Sequence, residues 1–219
     1  TMTFSGTIAN VNNAIATVTW TSQLNNNNNA QLSFTVSDGE AGDVVDTVAI
    51  TVNAVQDLPT AADFTVTVNE DNSHLFVASE FGYTDVDGDA MVSATLQAAS
   101  AGTLWVDSDS SGAVNGEEAA VANGDTVTLA NLAKLTWAPA ANANGATYAT
   151  FTFTVNDGTG NSASSYTSTL AVTAVNDAPA NAGDTATVTE DVAYNSWTAA
   201  TDWGYSDVDG DDMASVLII

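Results

Sequence analysis

Four short motifs occur twice in this chain, in the same order and about 120 residues apart. The paired segments are 34–39 with 153–158, 54–59 with 174–179, 67–71 with 187–191, and 81–89 with 203–211. Such repetition indicates a fold made of successive copies of one module. The spacing predicts a complete module over residues 56–175, the C-terminal half of a module over 1–55, and the N-terminal half of a further module over 176–219.

The repeated segments have the pattern of β-strands. Phe64, Val66 and Val68 alternate with threonines, and residues 48–52 and 151–155 show the same period of two. Asp-Gly and Asn-Gly pairs, which favour tight turns, separate these runs. No segment shows a sustained helical period. The sequence therefore predicts an all-β fold of antiparallel sandwich strands.

The charge balance is extreme, because 27 acidic side chains face a single basic one, Lys134, for a formal net charge of −26 at pH 7. Salt bridges cannot neutralise these carboxylates, and close carboxylates repel each other. Calcium, a hard cation that prefers oxygen ligands, is the natural source of positive charge. The alternative is a merely solvated acidic surface, which would scatter the acidic residues evenly, whereas here they cluster.

Composition also excludes several classes of function. One lysine cannot form the basic patch that nucleic-acid binding needs. The absence of cysteine excludes thiol catalysis and cysteine-based zinc sites. No apolar run is long enough to insert into a membrane. His74 is the only histidine, and no nucleophile is paired with it, so we expect that the protein is not an enzyme.

Residues 107–118 fit the twelve-residue calcium loop of EF-hands. Gly112 stands at the sharp turn, and an acidic residue closes the loop at its twelfth position. The flanking segments do not resemble EF-hand helices, so the loop is expected alone on a sandwich. A polar hairpin loop is the alternative. The predicted ligands are the side chains of Asp107, Asp109, Ser111 and Glu118 and the carbonyl of Ala113.

A second acidic pattern, Asp-Val-Asp-Gly-Asp, occurs at 85–89 and again at 207–211. Alternating aspartates in a turn aim several oxygens at one point, which a cation makes tolerable. One copy would favour a simple hairpin turn, but two copies favour calcium. The candidate ligands are Asp85, Asp87, Asp89, Asp207, Asp209 and Asp211.

The module junctions form a third acidic group. Acidic residues end the strands that lead into each linker, lie in the linker just before Pro59 or Pro179, and begin the next module. We expect these carboxylates to converge on shared calcium ions. The candidate residues are Asp38, Asp57, Glu70, Asp157, Asn176, Asp177 and Glu190.

The motifs Val175-Asn176-Asp177-Ala178-Pro179, Thr187-Val188-Thr189-Glu190-Asp191, Tyr205-Ser206-Asp207-Val208-Asp209-Gly210-Asp211 and Phe153-Thr154-Val155-Asn156-Asp157-Gly158 resemble the cadherin-like tandem repeats of giant RTX-type bacterial adhesins. The resemblance covers essentially the whole chain. It implies tandem immunoglobulin-like, cadherin-like Greek-key β-sandwich modules, type I secretion, and calcium within and between modules. The residues that match the family's acidic ligand motifs are Glu70, Asp85, Asp87, Asp157, Asp177, Glu190, Asp207 and Asp209. Gln56 departs from the usual asparagine of the linker motif.

The resemblance and the charge together predict a calcium-rigidified spacer repeat of a secreted bacterial surface adhesin or filament that supports adhesion or biofilm formation. The alternative is a carbohydrate- or ligand-binding module in which Trp105, Trp197 or Trp203 stacks on sugars. Trp20 and Trp137 align with each other and are expected in the core.

The partial modules are complementary. Residues 213–219 align with 91–97, and residues 6–8 align with 102–104. The back half lacks an equivalent of the 107–118 loop. We expect the two halves to complete one sandwich, either with neighbouring modules in a longer continuous chain or between identical subunits placed head to tail.

Overall fold

The computed structural model describes residues 2–116, 118–183, 185–195 and 197–218. The chain divides into two compact units, Thr1–Asp57 with Val86–Asp89 and Leu58–Asp85 with Ala90–Ile219. The elements in chain order are α1 (Ile8–Ile15), β1 (Ala30–Val36), β2 (Val44–Ile50), β3 (Phe64–Asn69), β4 (His74–Leu75), a 3-10 turn (Ala78–Phe81), β5 (Ser93–Leu96), β6 (Thr103–Val106), β7 (Asp125–Thr128), α2 (Leu129–Leu132), β8 (Leu135–Ala138), β9 (Gly145–Asn156), β10 (Tyr166–Thr173) and α3 (Ala199–Asp202).

The second unit contains a β-sandwich. A five-stranded sheet of order β3-β10-β9-β5-β7 and a three-stranded sheet of order β4-β8-β6 enclose one apolar core. β10 pairs antiparallel with β9 and parallel with β3. Burial alternates along β9, as the period of two predicts for a strand with one face on the core. The predicted all-β sandwich is confirmed.

Aromatic side chains form the centre of this core. The rings of Phe81 and Phe153 meet edge to face with centroids 4.9 Å apart, and those of Phe76 and Phe151 meet likewise at 5.6 Å. Such edge-to-face pairs add to the stabilisation from burial alone. Trp137 is also fully buried, and its indole N–H donates to the carbonyl of Ala101 at 3.1 Å. The expectation that Trp137 belongs to the core is therefore confirmed.

The first unit differs from its counterpart in the sandwich. β1 and β2 pair antiparallel and are the two strands among its described residues. Residues 8–15 form a helix that the sequence did not predict, begun by Thr7, whose hydroxyl accepts from the N–H of Asn10. The aligned segment of the sandwich forms β6, which pairs with β8. Trp20 is 50% exposed, so its predicted core position is wrong in this unit.

The turns of the two sequence repeats share their geometry. Thr60 pairs with Thr84 through an isolated antiparallel bridge, and Ala180 pairs with Ser206 in the same way. Gly82 and Gly204, at equivalent positions, both have φ of 58°. Glycine is required there because an added Cβ would approach the opposing alanine closely. The repeat is therefore visible in backbone conformation as well as in sequence.

Gly102 should be a critical backbone position. Its φ of +70° and the carbonyl of Ala138, which would lie 2.4 Å from an added Cβ, both oppose a side chain. Gly124 is the matched control, because its φ is +88° but nothing lies within 4 Å of an added Cβ. We expect Gly124→Ala to cost about 1 kcal/mol and Gly102→Ala about 1–3 kcal/mol more. Urea unfolding measures both, and equal losses would contradict the close approach.

Candidate calcium sites

Three carboxylates converge in the loop between β6 and β7. Oxygens of Asp107, Asp109 and Glu118 lie within 4.8 Å of one another. Calcium binds oxygen ligands at about 2.3–2.6 Å, so one ion can contact oxygens separated by this distance. Asp107 is 7% exposed, Glu118 is half-buried and Asp109 is exposed. These three residues occupy the first, third and twelfth positions of the predicted calcium loop.

Backbone amides hold these carboxylates in place. The two oxygens of Asp107 accept from the N–H groups of Ser111, at 3.0 Å, and Gly112, at 2.9 Å. Oε1 of Glu118 accepts from the N–H of Ser108 at 2.6 Å. Gly112 has φ of +77°, which lets the chain turn sharply enough to present its amide to Asp107. The loop thus holds its first and last acidic residues through its own backbone amides.

Hydrogen bonds also change the acidity of two of these groups. Bonds from Ser111 lower the pKa of Asp109, and bonds from Ser108 lower the pKa of Glu118. Donors that favour the charged form keep both carboxylates ionised at neutral pH. Because the folded pKa lies below the unfolded one, the stabilisation is present above the unfolded pKa and is lost as pH falls through the folded pKa.

The remaining predicted ligands of the loop contact each other. The hydroxyl of Ser111 donates to the carbonyl oxygen of Ala113 at 2.9 Å. Lys134, which the sequence did not connect with this loop, donates from Nζ to the carbonyl of Ser108 at 3.2 Å. The only basic side chain of the protein therefore lies beside the loop. Its being the only lysine or arginine was the available signal, but no sequence pattern indicated that it would contact this loop.

A second cluster joins three separate segments. Glu70 follows β3, Asp177 follows β10, and Asp209 lies in the second Asp-Val-Asp-Gly-Asp turn, yet their oxygens lie within 4.8 Å of one another. Glu70 is 3% exposed. Its Oε1 accepts from the backbone N–H of Val175, and its Oε2 lies 3.5 Å from the amide nitrogen of Asn144. The junction prediction included Glu70 and Asp177, whereas Asp209 was predicted as a ligand of the turn at 207–211, and Asn144 was missed.

Asp177 is electrostatically strained in this cluster. Its N–H donates to Oδ2 of Asp209 at 2.6 Å. Its own Oδ2 is buried and has no hydrogen-bond partner among the described residues. Burial first, and then the nearby charge of Asp209, raise the pKa of Asp177. A buried, unbonded carboxylate oxygen beside two further carboxylates is well suited to a cation.

The other residues of this turn have structural contacts. Oδ1 of Asp207 accepts from the N–H groups of Asp209 at 2.9 Å and Asp211 at 3.2 Å. Asp207 therefore shapes the turn that presents Asp209. The side chain of Asn176 donates to the carbonyl of Asp177 at 2.8 Å, so it orders the linker backbone. Asp211 and Glu190 are exposed and lie outside the acidic clusters of the described residues.

The first linker shows the same backbone contact. The N–H of Asp57 donates to Oδ2 of Asp87 at 2.7 Å, as that of Asp177 does to Asp209. Gln56, which replaces the usual asparagine, donates from Nε2 to the carbonyl of Asp57 at 3.5 Å and to Oδ2 of Asp89 at 2.6 Å. Asp85, the first aspartate of this turn, is half-buried and belongs to the second unit.

Two strand-end aspartates are held by their own loops. Oδ1 of Asp38 accepts from the N–H groups of Glu40 and Ala41, both at 3.0 Å. Oδ1 of Asp157 accepts from Thr159 and Gly160. These amides, Ala41 foremost for Asp38 and Gly160 for Asp157, lower the pKa of each carboxyl. Neither aspartate belongs to an acidic cluster of the described residues, so the structure does not bring them together with the junction group.

The tryptophans bear on the alternative of sugar binding. Trp105 is 2% exposed, so its face is not available for stacking. Trp203 is half-buried. Trp197 is 53% exposed, but its ring contacts Tyr194 edge to face with centroids 4.6 Å apart. Burial therefore removes Trp105 from the alternative and leaves Trp197 and Trp203 as its candidate residues.

Comparison with known families identifies the family of this sandwich. Residues 56–173 match the family model of the bacterial Ig domain, which is more than half of the chain. The chain belongs to the bacterial Ig domain family. Such domains are typically non-enzymatic structural or adhesion modules of bacterial surface proteins. No curated protein is similar enough to match the chain. In the described part of this bacterial Ig chain, no helix has the length and apolarity needed to cross a membrane.

The charge of Asp209 should control the acidity of Asp177. We expect Asp209→Asn to lower the pKa of Asp177, because it removes a like charge while the burial of Asp177 is kept. Carboxyl-detected NMR titration without divalent cations measures this change. Asp212→Asn, outside the cluster of Glu70, Asp177 and Asp209, is the control. An unchanged Asp177 titration in Asp209→Asn would contradict their proximity.

Proposed function

We propose that this chain is a calcium-rigidified spacer repeat of a secreted bacterial surface adhesin or extracellular filament. The observation that supports it most is the cluster of Glu70, Asp177 and Asp209. These residues come from the end of a strand, the linker after the sandwich, and the turn of the following repeat. A single ion bound there would tie all three segments together.

Charge explains why the ion would change stiffness. Without a cation, three carboxylates within 4.8 Å repel each other, and a movement of the linker that separates them lowers this repulsion energy. Calcium reverses the sign of that interaction and adds direct oxygen contacts. Lys134 cannot take its place, because its amine contacts the loop at Ser108. The linker therefore depends on an external cation, and its rigidity would follow the calcium concentration.

The loop at 107–118 is the proposed site of a second ion, which would have a different structural role. Asp107, Asp109 and Glu118 all lie within one loop of the sandwich, so an ion there would stabilise the module and not the junction. The loop already holds its acidic residues on backbone amides, so binding would need little rearrangement. Low reorganisation favours affinity.

The family supports a place outside the cell, since bacterial Ig domains are typically surface modules. An array of stiff modules would hold a terminal binding domain away from the cell and so support adhesion or biofilm formation. The RTX-type context and type I secretion belong to this proposal and rest on the resemblance of the linker and turn motifs. Genomic context and secretion assays in the source bacterium test that part.

The loop site predicts a change in calcium stoichiometry. Glu118→Gln should remove one bound ion, because the amide loses the charge and the bidentate contact that close the loop. Glu40→Gln makes the same chemical change at an exposed turn and should leave the stoichiometry unchanged. Isothermal titration calorimetry measures both. Equal stoichiometry in Glu118→Gln and the unsubstituted protein would remove the loop from the proposal.

The junction predicts a calcium-dependent change of dimensions. Adding calcium to the chelated protein should lengthen its maximum dimension in small-angle X-ray scattering, since the linker stiffens. Asp177→Asn should require about tenfold more calcium or greater, because one ligand charge is lost. Asp43→Asn is the charge-matched control outside the acidic clusters of the described residues. Identical scattering with calcium and with chelator would refute the spacer mechanism.

A further inference from the structure

The chain contains three Asn-Gly pairs, at 115–116, 123–124 and 144–145. Asparagine followed by glycine is prone to spontaneous deamidation, because glycine has no side chain to hinder attack by its backbone nitrogen on the preceding side-chain amide. The attack needs a backbone that can move and that water can reach, so local structure decides which pair reacts. The three pairs differ in how firmly hydrogen bonds and strand pairing hold them.

The pair at 123–124 is exposed, but hydrogen bonds hold both reacting groups. Oδ1 of Asn123 accepts from the N–H of Ala98 at 2.9 Å. The N–H of Gly124 donates to the carbonyl of Leu96 at 2.8 Å. The side-chain amide and the attacking nitrogen are therefore both bound, and local opening must break both bonds before the two groups can meet.

The pair at 144–145 is held by the sheet. Gly145 is the first residue of β9 and pairs with Val172 of β10. The amide nitrogen of Asn144 lies 3.5 Å from Oε2 of Glu70. Pairing within the sheet restrains the backbone of Gly145 and so opposes the rotation that ring closure needs.

The pair at 115–116 lies in the loop between β6 and β7 and has no such restraint. Both residues are exposed. Among the described residues, none accepts a hydrogen bond from the N–H of Gly116, and nothing lies within 4 Å of a Cβ added there. Asn115 and Gly116 also line an open cavity of about 470 Å³, which has room for water. The attacking nitrogen is therefore free of the bond that protects Gly124.

We propose that Asn115 is a site of spontaneous deamidation, which adds a carboxylate to the loop at 107–118. The backbone nitrogen of Gly116 loses its proton to solvent and forms a bond to Cγ of Asn115. The bond from Cγ to Nδ2 breaks, and ammonia leaves. Water then opens the cyclic succinimide at either carbonyl, which gives aspartate or isoaspartate. The net reaction consumes one water and releases one ammonia, so it needs no oxidant, reductant or enzyme.

The new charge lies among the proposed calcium ligands of the loop. Nδ2 of Asn115 donates to the hydroxyl of Ser111 at 2.7 Å. Bonds from Ser111 first, and then from Asn115, lower the pKa of Asp109. Deamidation to aspartate therefore replaces a donor beside Asp109 with a charged acceptor, which increases repulsion in the cation-free loop and adds an oxygen ligand for a cation. This consequence, unlike the modification itself, rests on the proposed function.

Peptide mapping of the full chain measures the modification. The protein is incubated with chelator in heavy-oxygen water at mildly alkaline pH, and tandem mass spectrometry of chymotryptic peptides gives the label taken up at each asparagine. We expect Asn115 to convert faster than Asn144, and about tenfold or more faster than Asn123, because two hydrogen bonds protect Asn123. In strong urea the three rates should become similar, since unfolding removes the local protection.

Asn115→Gln is the matched variant, because a longer side chain disfavours ring closure and keeps the amide. It should abolish labelling at position 115 and leave the rates at Asn123 and Asn144 unchanged. Equal rates at the three pairs in the folded protein would overturn the proposal. Conversion of Asn123 ahead of Asn115 would overturn it as well.

Calcium calorimetry of Asn115→Asp separates this proposal from that of the loop ion. The substitution supplies the aspartate product directly and should bind calcium about tenfold more tightly than the unsubstituted chain at low salt, because it adds a charge. Selective labelling of Asn115 together with unchanged calcium binding by Asn115→Asp supports the modification and counts against the loop ion. Calcium binding by a loop in which Asn115 stays intact while the other two pairs convert supports the ion and overturns the modification.

Discussion

Repulsion among carboxylates that have almost no cations to pair with is the constraint on which this structure depends. With Lys134 as the only basic side chain, backbone N–H groups must hold most of the acidic residues that shape loops. Asp38 and Asp157 are each bound by amides of the turn that they begin, and Asp107 is bound by two amides of its loop. The lowered pKa values of Asp38 and Asp157 are the measurable consequence. At the junction the available donors are insufficient, and Asp177 keeps a buried oxygen without a bond among the described residues.

The apolar core is largely independent of this charge problem. The rings of Phe76, Phe81, Phe151 and Phe153 pack between the two sheets, whereas the acidic clusters lie at loops and strand ends. This separation would let one module remain folded while its junction responds to the proposed cation. Glu70 is the link between the two regions, because it directly follows β3 and is nearly fully buried while its carboxylate faces the linker.

Much of this could be predicted from the sequence because local rules dominate it. Period-two alternation and a repeated motif order predicted the sandwich. The acidic motifs also marked Glu70, Asp177 and Asp209 as candidate ligands, but they assigned Asp209 to the turn at 207–211 and not to the junction group. The sequence could not predict α1. Residues 8–15 align with β6, which pairs with β8 in the sandwich, but they have no partner strand among the described residues of their own unit and form a helix. Nor could it assign Asp157, because the same acidic residue type at a strand end can bind either its own backbone or an ion. The position of Lys134 beside Ser108 depends on the pairing of β6 with β8, which is a long-range contact.

The linker carboxylates show how a turn can be a structural element and also suit the proposed ion. Oδ2 of Asp209 already accepts from the N–H of Asp177, and the equivalent bond joins Asp57 to Asp87 in the other linker. A carboxylate has two oxygens with several acceptor positions, so this bond leaves capacity for a cation. The turn is therefore formed by backbone contacts that need no ion, and the proposed calcium would add contacts to a geometry already present. In the proposed mechanism the stiffening would be reversible, because removing the ion would restore repulsion between Glu70, Asp177 and Asp209 without removing the bonds that shape the turn.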